Sequence, residues 1–349
     1  MQSIPSKLDN QISLDVGSIK NEAEFKRNND LPNNNEYSTN QNKDSNDHNS
    51  DIKKQFTCIR TFNGHNENIV SLIQLSSGKL ASGSYDNTIR IWNINNGKEE
   101  KIIYGKEKVF CLLEFEEDKL LAGTSANNIN LWDINSSDNN CLYSFTGHEL
   151  WVNSIVKINQ KYFASASNDA IIKIWDYYNR TCIYNLKGHN DCILSLIILK
   201  NNNLCSGSAD LTIKIWDWEK QNCVATIEGH RKWIKTVFEL DNGILLSGSS
   251  DKTIKLWKNN SLVCTLHGHE KGVRTLCQIN KNYFCSGSFD FTIKIWKKNT
   301  YQCVQTITDH NSNVICIISL NNKDNHKHKS DLIATCSRDK TIKIWEGNI

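Results

Sequence analysis

The sequence predicts an all-β chain of seven tandem four-stranded sheets behind a disordered N-terminal tail, and three observations carry that reading. The first is a repeat. Gly-His pairs at Gly64-His65, Gly147-His148, Gly188-His189, Gly229-His230 and Gly268-His269 are followed in step by tryptophans, at intervals of about 41 residues. The second is a period of two in the apolar residues. Segments such as "KLASGS" and "TIKIW" alternate or run apolar between short polar breaks, whereas no unit holds a ten-residue helical stripe. The third is a change of composition at residue 56, before which Asn, Asp, Ser and Lys dominate.

Residues 1 to 55, with "LPNNNEYSTNQNKDSNDHNSD" as their clearest stretch, hold too few apolar side chains to offset the roughly 1 to 2 kcal/mol per residue that ordering a backbone costs. They are expected to be disordered, either as a tolerated extension or as the carrier of a short motif in "SLDVGSIKNEAEF". They carry 7 Lys/Arg against 9 Asp/Glu, so the remainder of a chain of net charge +3 is mildly basic. That excess and a pI of 8.1 fall short of a nucleic-acid footprint.

The longest apolar run, near Cys192 to Leu199, is too short for a membrane span, and Met1-Gln2 lacks the glycine that myristoylation needs. A protein of the cytoplasm or nucleus is expected. Thirteen cysteines, an odd number without any Cys-x-x-Cys pair, read as small buried residues of a reducing compartment rather than as a disulfide framework or zinc site. Five of them, Cys58, Cys141, Cys182, Cys223 and Cys303, fall seven residues before a His. His326 and His328 in "NNKDNHKHKSD" are two histidines in a charged loop, and no metal is predicted there.

The units run in order from the tail. The first sets His65, Ser82, Asp86 and Trp92 in series. The second keeps Trp132 but has Lys106, Ala122 and Ala126 at the other three places. The third has His148, Ser165, Asp169 and Trp175, and the fourth His189, Ser206, Asp210 and Trp216. The fifth has His230, Ser247, Asp251 and Trp257, and the sixth His269, Ser286, Asp290 and Trp296. The seventh follows Asp309 with His310, Thr335, Asp339 and Trp345. A histidine, a serine and an aspartate are also the parts of a nucleophilic triad, but an active site needs them once and this chain has them six times, so no catalytic residue is predicted. Sheets with two apolar faces cannot stand alone in water, so neighbouring units must stack.

These seven units, with Trp132-Asp133, Trp175-Asp176 and Trp216-Asp217 among them, resemble the WD-repeat β-propeller family across residues 56 to 349. The resemblance implies a seven-bladed propeller whose quartets are hydrogen-bonded networks. In the second unit, which lacks one, it leads us to expect the most mobile blade. The chain ends on a third strand, "TIKIWE", and opens on an orphan, "FTCIRTF", so residues 56 to 62 are expected to close the ring beside 341 to 345.

The resemblance also implies a partner-binding narrow face. Mapping the third and fifth residues after each His, and the one before each Asp, yields an aromatic series, Tyr85, Phe110, Trp151, Trp233 and Phe289, with Lys235, Arg274 and Arg338 beside it. Exposed Trp with nearby Arg is the make-up of an interface hot spot, and Arg and Lys suit carboxylate or phosphate. The competing readings are rings packed as core between blades and an ordinary solvated basic face. Trp218 reads either as a contact on the opposite face or as cover for a blade edge. The expected function is a cofactor-free, non-enzymatic scaffold for protein or peptide partners, acidic or phosphorylated ones included, within a multiprotein complex. A ubiquitin-ligase substrate receptor is the alternative, although the tail shows no apolar docking helices. Sustained heptads and paired-arginine motifs, needed by two other propeller classes, do not occur.

Overall fold

A computed structural model describes residues 55–138, 140–321 and 330–347. Residues 1 to 54, and with them nearly the whole expected tail, lie outside the described residues, as do His326 and His328.

Among the described residues, twenty-eight strands form seven antiparallel sheets of four. β1 (Phe56–Asn63) precedes the first blade, which is β2 (Ile69–Gln74), β3 (Leu80–Ser84), β4 (Thr88–Trp92) and β5 (Glu99–Tyr104). Blade two is β6 (Val109–Glu116), β7 (Lys119–Thr124), β8 (Ile129–Asp133) and β9 (Tyr143–Phe145). Blade three is β10 (Val152–Lys157), β11 (Tyr162–Ser167), β12 (Ile171–Asp176) and β13 (Thr181–Lys187). Blade four is β14 (Ile193–Ile198), β15 (Leu204–Ser208), β16 (Ile213–Asp217) and β17 (Asn222–Ile227). Blade five is β18 (Ile234–Glu239), β19 (Leu245–Ser249), β20 (Ile254–Lys258) and β21 (Ser261–Leu266). Blade six is β22 (Val273–Gln278), β23 (Tyr283–Ser288), β24 (Ile293–Lys297) and β25 (Cys303–Ile307). Blade seven takes β26 (Val314–Leu320), β27 (Asp331–Ser337) and β28 (Thr341–Gly347), and β1 returns as its fourth strand.

That return closes the ring. Phe62 pairs with Ile342 and Cys58 with Trp345, so the last blade gains its fourth, outermost strand from the start of the propeller. The first strand of each blade lies against the first strand of the next, from β2·β6 round to β2·β26, and these seven strands encircle the central axis.

Seven apolar clusters hold the blades together, each drawn from two adjacent blades rather than from one. The cluster between blades four and five joins Cys205 and Ile215 to Ile234, Val237 and Trp257. Burying one such indole removes about 200 Å² from water, worth about 5 kcal/mol before the cost of ordering it. Polar clamps cross the seams as well. The amides of Ser76, Lys200 and Asp241 donate to Glu114, Glu239 and Gln278 of the following blade at 2.6, 2.8 and 2.8 Å.

The cysteine expectation needs correction. All thirteen are free thiols, but only Cys111, Cys192, Cys205, Cys277, Cys285 and Cys336 are buried, while Cys141, Cys223 and Cys303 are exposed. The five that recur before a His sit on or beside the outermost strand of a blade, which has no further sheet to cover it. Each bends its thiol back to the carbonyl two residues on, as Cys223 does to Ala225 at 3.3 Å.

Candidate functional site

The six quartets share one geometry. In blade five the Trp257 indole N–H donates to Ser247 Oγ at 2.8 Å, Ser247 donates to His230 Nε2 at 2.7 Å, and His230 Nδ1 donates to Asp251 Oδ2 at 2.8 Å. The ionised carboxylate can only accept, so the proton of the neutral imidazole falls on Nδ1, Nε2 accepts from the serine hydroxyl, and the serine oxygen accepts from the indole. The sets built on Trp92, Trp175, Trp216 and Trp296 repeat these distances within 0.1 Å, and Thr335 takes the serine's part before Trp345.

Local backbone explains why the residues meet. Gly229 holds φ at 146°, and a Cβ there would lie 2.9 Å from Trp257 Cη2, so glycine before His230 gives the indole its space. Asp251 lies within the β19–β20 turn, where its carboxylate accepts the amide of Arg231 and both the amide and hydroxyl of Thr253. Burial pushes the Asp251 carboxyl up, but these hydrogen bonds with His230 and Thr253 prevail and hold it well below the ordinary carboxylate range. Asp86, Asp210, Asp290 and Asp339 respond in the same way.

This chain of bonds is buried. Ser82, Ser165, Ser206, Ser247, Ser286 and Thr335 are each 0% exposed, and every one of these hydroxyls accepts an indole proton. Blade two lacks the set. Ala122 fills the serine's place at 0% exposure, and the turn is held instead by the Thr124 hydroxyl, which donates to Asn128.

The narrow-face positions are brought together by a main-chain bond repeated in all seven blades. Tyr85, Ser125, Asn168, Ala209, Ser250, Phe289 and Arg338 donate their amides to the carbonyls of Asn68, Lys108, Trp151, Cys192, Trp233, Gly272 and Asn313. Each blade thus offers the same corner to the axis. On blades one to three the corner is aromatic. Tyr85 meets Phe110 edge-on at 5.3 Å between centroids, and Phe110 stacks on Trp151 at 5.1 Å. Lys108, at the mapped position of blade two, lies 5.3 Å from the Tyr85 ring.

On blades five to seven the corner is cationic. Lys235 Nζ stands 4.4 Å from the Trp233 ring and 5.9 Å from Phe289, and Arg338 Cζ lies 5.7 Å from the same Phe289. Arg274 reaches back to the Lys235 carbonyl at 3.3 Å. Burial pulls the Arg274 guanidinium below its ordinary value, and the nearby Arg338 adds to that. Among the described residues no carboxylate pairs with Arg274 or Arg338. Burial raises the Tyr85 hydroxyl, and Arg338 and Arg274 draw it back, which puts both guanidinium groups within electrostatic reach of blade one.

Blade four interrupts the ring. Cys192 and Ala209 are buried there and present no large side chain. On the other face Trp218 is 5% exposed and packs on Tyr162 at 5.8 Å, so it covers the seam between blades three and four.

A ring of seven four-stranded blades with buried His/Ser/Asp/Trp quartets defines a class of interaction propeller. The chain belongs to the WD domain, G-beta repeat family, whose model matches residues 56–93, 139–176, 180–217, 221–258, 260–297 and 301–346. The interval 94–138 between the first two matches contains Lys106, Ala122 and Ala126. Among solved structures, the WD40 beta propeller domain of Doa1 superposes with a TM-score of 0.72 at 24% identity, covering 83% of this chain and 96% of that one. Two curated relatives are the ribosome biogenesis protein WDR12 homologs of Nematostella vectensis, 27% identical over 133 residues, and Aedes aegypti, 28% identical over 131 residues. Each match takes in 36% of this chain, and spans 32% and 31% of those proteins respectively.

Proposed function

We propose that the propeller is a non-enzymatic scaffold that grips an acidic or phosphorylated segment of a protein partner on its narrow face. The observation that carries this is the cationic arc. Lys235 and Arg338 already occupy the faces of Trp233 and Phe289, which leaves those rings unsuited to a cationic ligand, while Arg274 and Arg338 present positive charge without a paired carboxylate. An anion there gains charge-assisted hydrogen bonds, and the stacked Tyr85, Phe110 and Trp151 supply the apolar contact that a neighbouring residue of the same segment needs.

The matched relatives' shared name, ribosome biogenesis protein, favours work inside a multiprotein assembly in the nucleus. Affinity purification of the wild-type chain, beside Trp151→Ala and Trp233→Ala variants, identifies the partner and the face at once. Acidic and phosphorylated peptides are expected to bind the wild type and to lose at least ten-fold in affinity, about 1.4 kcal/mol, on Arg274→Glu with Arg338→Glu. Binding that survives this double reversal removes the anionic reading. Co-purification of ligase subunits instead of an assembly complex reassigns the scaffold to substrate delivery.

A further inference from the structure

Blade seven breaks a rule that the other blades keep next to the axis. Each innermost strand carries one small or sulfur-bearing residue, Ser71, Cys111, Ser154, Ser195, Thr236, Thr275 or Cys316, directly opposite a residue of the second strand. In six blades that opposite residue is glycine or alanine: Gly83, Gly123, Ala166, Gly207, Gly248 and Gly287. The next blade leaves little room there, since a Cβ on Gly207 would lie 2.7 Å from Ile234 Cγ2 and one on Gly287 2.6 Å from Val314 Cγ1. Blade seven instead holds Cys336, whose thiol finds the Ile69 carbonyl of blade one at 3.5 Å.

Two thiols therefore stand in cross-strand register at the seam where the last blade meets the first. The Cys316 thiol also reaches across that seam, to the Leu72 carbonyl at 3.7 Å. Opposite residues of an antiparallel pair have Cα atoms about 4.5 to 5.5 Å apart, inside the range of about 4.4 to 6.8 Å that a disulfide spans. Cys336 is wholly buried, whereas Cys316 keeps part of its surface open. The two differ chemically as well. The hydrogen bond with Cys336 and the positive charge of Arg274 hold Cys316 below the ordinary thiol range against its own burial, while burial pushes Cys336 up.

We propose that Cys316 and Cys336 form an oxidisable dithiol, in which a hydroperoxide attacks at Cys316 and Cys336 resolves the product into a cross-strand disulfide. The Cys316 thiolate attacks one peroxide oxygen, the O–O bond breaks, and the departing oxygen takes a proton to leave as water, or as an alcohol from an organic peroxide. The Cys336 sulfur then attacks the sulfenic sulfur, the S–O bond breaks, and the oxygen leaves as water with the Cys336 proton. Two thiols lose two electrons and one peroxide gains them. Both thiol protons that tied blade seven to the Leu72 and Ile69 carbonyls are lost, so oxidation acts on the closing seam of the ring.

Blade six supplies an internal control. Cys277 and Cys285 are also in register and their thiols also hydrogen-bond to each other, but both residues are buried, whereas Cys316 is not fully so. The test uses the full chain, reduced and then exposed to hydrogen peroxide, alkylated under denaturing conditions and mapped by peptide mass spectrometry. A Cys316–Cys336 linkage that dithiothreitol reverses, with Cys277 and Cys285 recovered as thiols, is the expected result. Recovery of Cys316 and Cys336 as thiols after the exposed Cys141, Cys223 and Cys303 have been oxidised overturns the proposal. Two variants borrow residues that sister blades already carry at the same places. Cys336→Ala, as at Ala166, should leave a sulfenic acid on Cys316 that a dimedone probe traps. Cys316→Ser, as at Ser71, should leave Cys336 unoxidised, and its oxidation at the wild-type rate would refute the assigned order.

Discussion

Blade two and the region of blades five and six share one frame and differ in almost everything laid upon it. Residues 105–145 carry 3 Lys/Arg against 7 Asp/Glu, and residues 228–298 carry 12 against 6. Blade five and blade six each have a complete quartet, while blade two has none, ends on a three-residue β9, and leaves Trp132 7% exposed where Trp257 and Trp296 are 3% exposed. Yet blade two still pairs four strands in the standard order and still sends its indole into the seam with the preceding blade. The quartet is thus not what makes a blade. Stacking against neighbours supplies the frame, and the polar chain fixes the indole within it, with less loss when several of its members are replaced together than when one is removed and its partners are stranded.

That contrast can be broken most severely at the indole. Trp257→Ala should cost about 3 to 5 kcal/mol in denaturant unfolding, because it opens a cavity in a two-blade cluster and also removes the indole hydrogen bond to the buried Ser247 hydroxyl. Trp132→Ala opens a similar space without stranding anything, and should cost measurably less. Equal losses at the two sites would mean that the hydrogen-bonded chain adds nothing to the indole's packing.

Removing a carboxylate comes next. Asp251→Ala leaves His230 Nδ1, the Arg231 amide and the Thr253 hydroxyl without their acceptor and should cost about 1 to 3 kcal/mol. The same groups give a pH dependence of known sign. Asp86, Asp210, Asp251, Asp290 and Asp339 have folded values below that of the unfolded chain, about 3.9, so their stabilisation is fully present above that pH. It is lost as pH falls through the lower folded values. Acid titration followed by circular dichroism should therefore show stability falling below about pH 4, less steeply in Asp251→Ala, and a parallel fall in both would reject the linkage.

Rebuilding the missing set sharpens the comparison from the other side. Lys106→His, Ala122→Ser and Ala126→Asp together should stabilise the chain by about 1 kcal/mol and slow amide hydrogen exchange in β6 to β9, which we expect to be the fastest-exchanging blade of the wild type. Wild-type protection of blade two equal to that of its neighbours would show that quartets do not govern local opening.

The smallest effect belongs to the turns. Leu211 and Phe291 sit at φ of 73° and 74° just after a quartet Asp, a left-handed conformation that costs a branched or bulky side chain about 1 to 2 kcal/mol, and Asn87 and Asn127 show the residue type better suited to it. Leu211→Asn should stabilise by about 0.5 kcal/mol in thermal unfolding, since the exposed leucine has little packing to lose.

Most of the frame was legible because its signals are local or strictly periodic. Ser247 and Trp257 are ten residues apart on adjacent strands, so a repeat of about 41 residues exposes the pair without any knowledge of the ring. The cysteines were misread for a comparable reason. Cys141, Cys223 and Cys303 recur as regularly as core residues do, but periodicity reports a position within a blade and not whether another layer covers it. Trp218 was left between two readings because its cover, Tyr162, comes from the preceding blade.

The sequence by itself determined the number of sheets, the closing strand and the residues of each quartet, because hydrogen-bonding capacity and apolar alternation are properties of short segments. Only the tertiary structure decided that Lys235 and Arg338 cover the rings of Trp233 and Phe289, that Tyr85, Phe110 and Trp151 form one stack, and that Cys316 faces Cys336 with Arg274 nearby. Those relations join side chains from separate blades or strands, and the charge, exposure and reactivity of each depend on distances that exist only once the ring has closed.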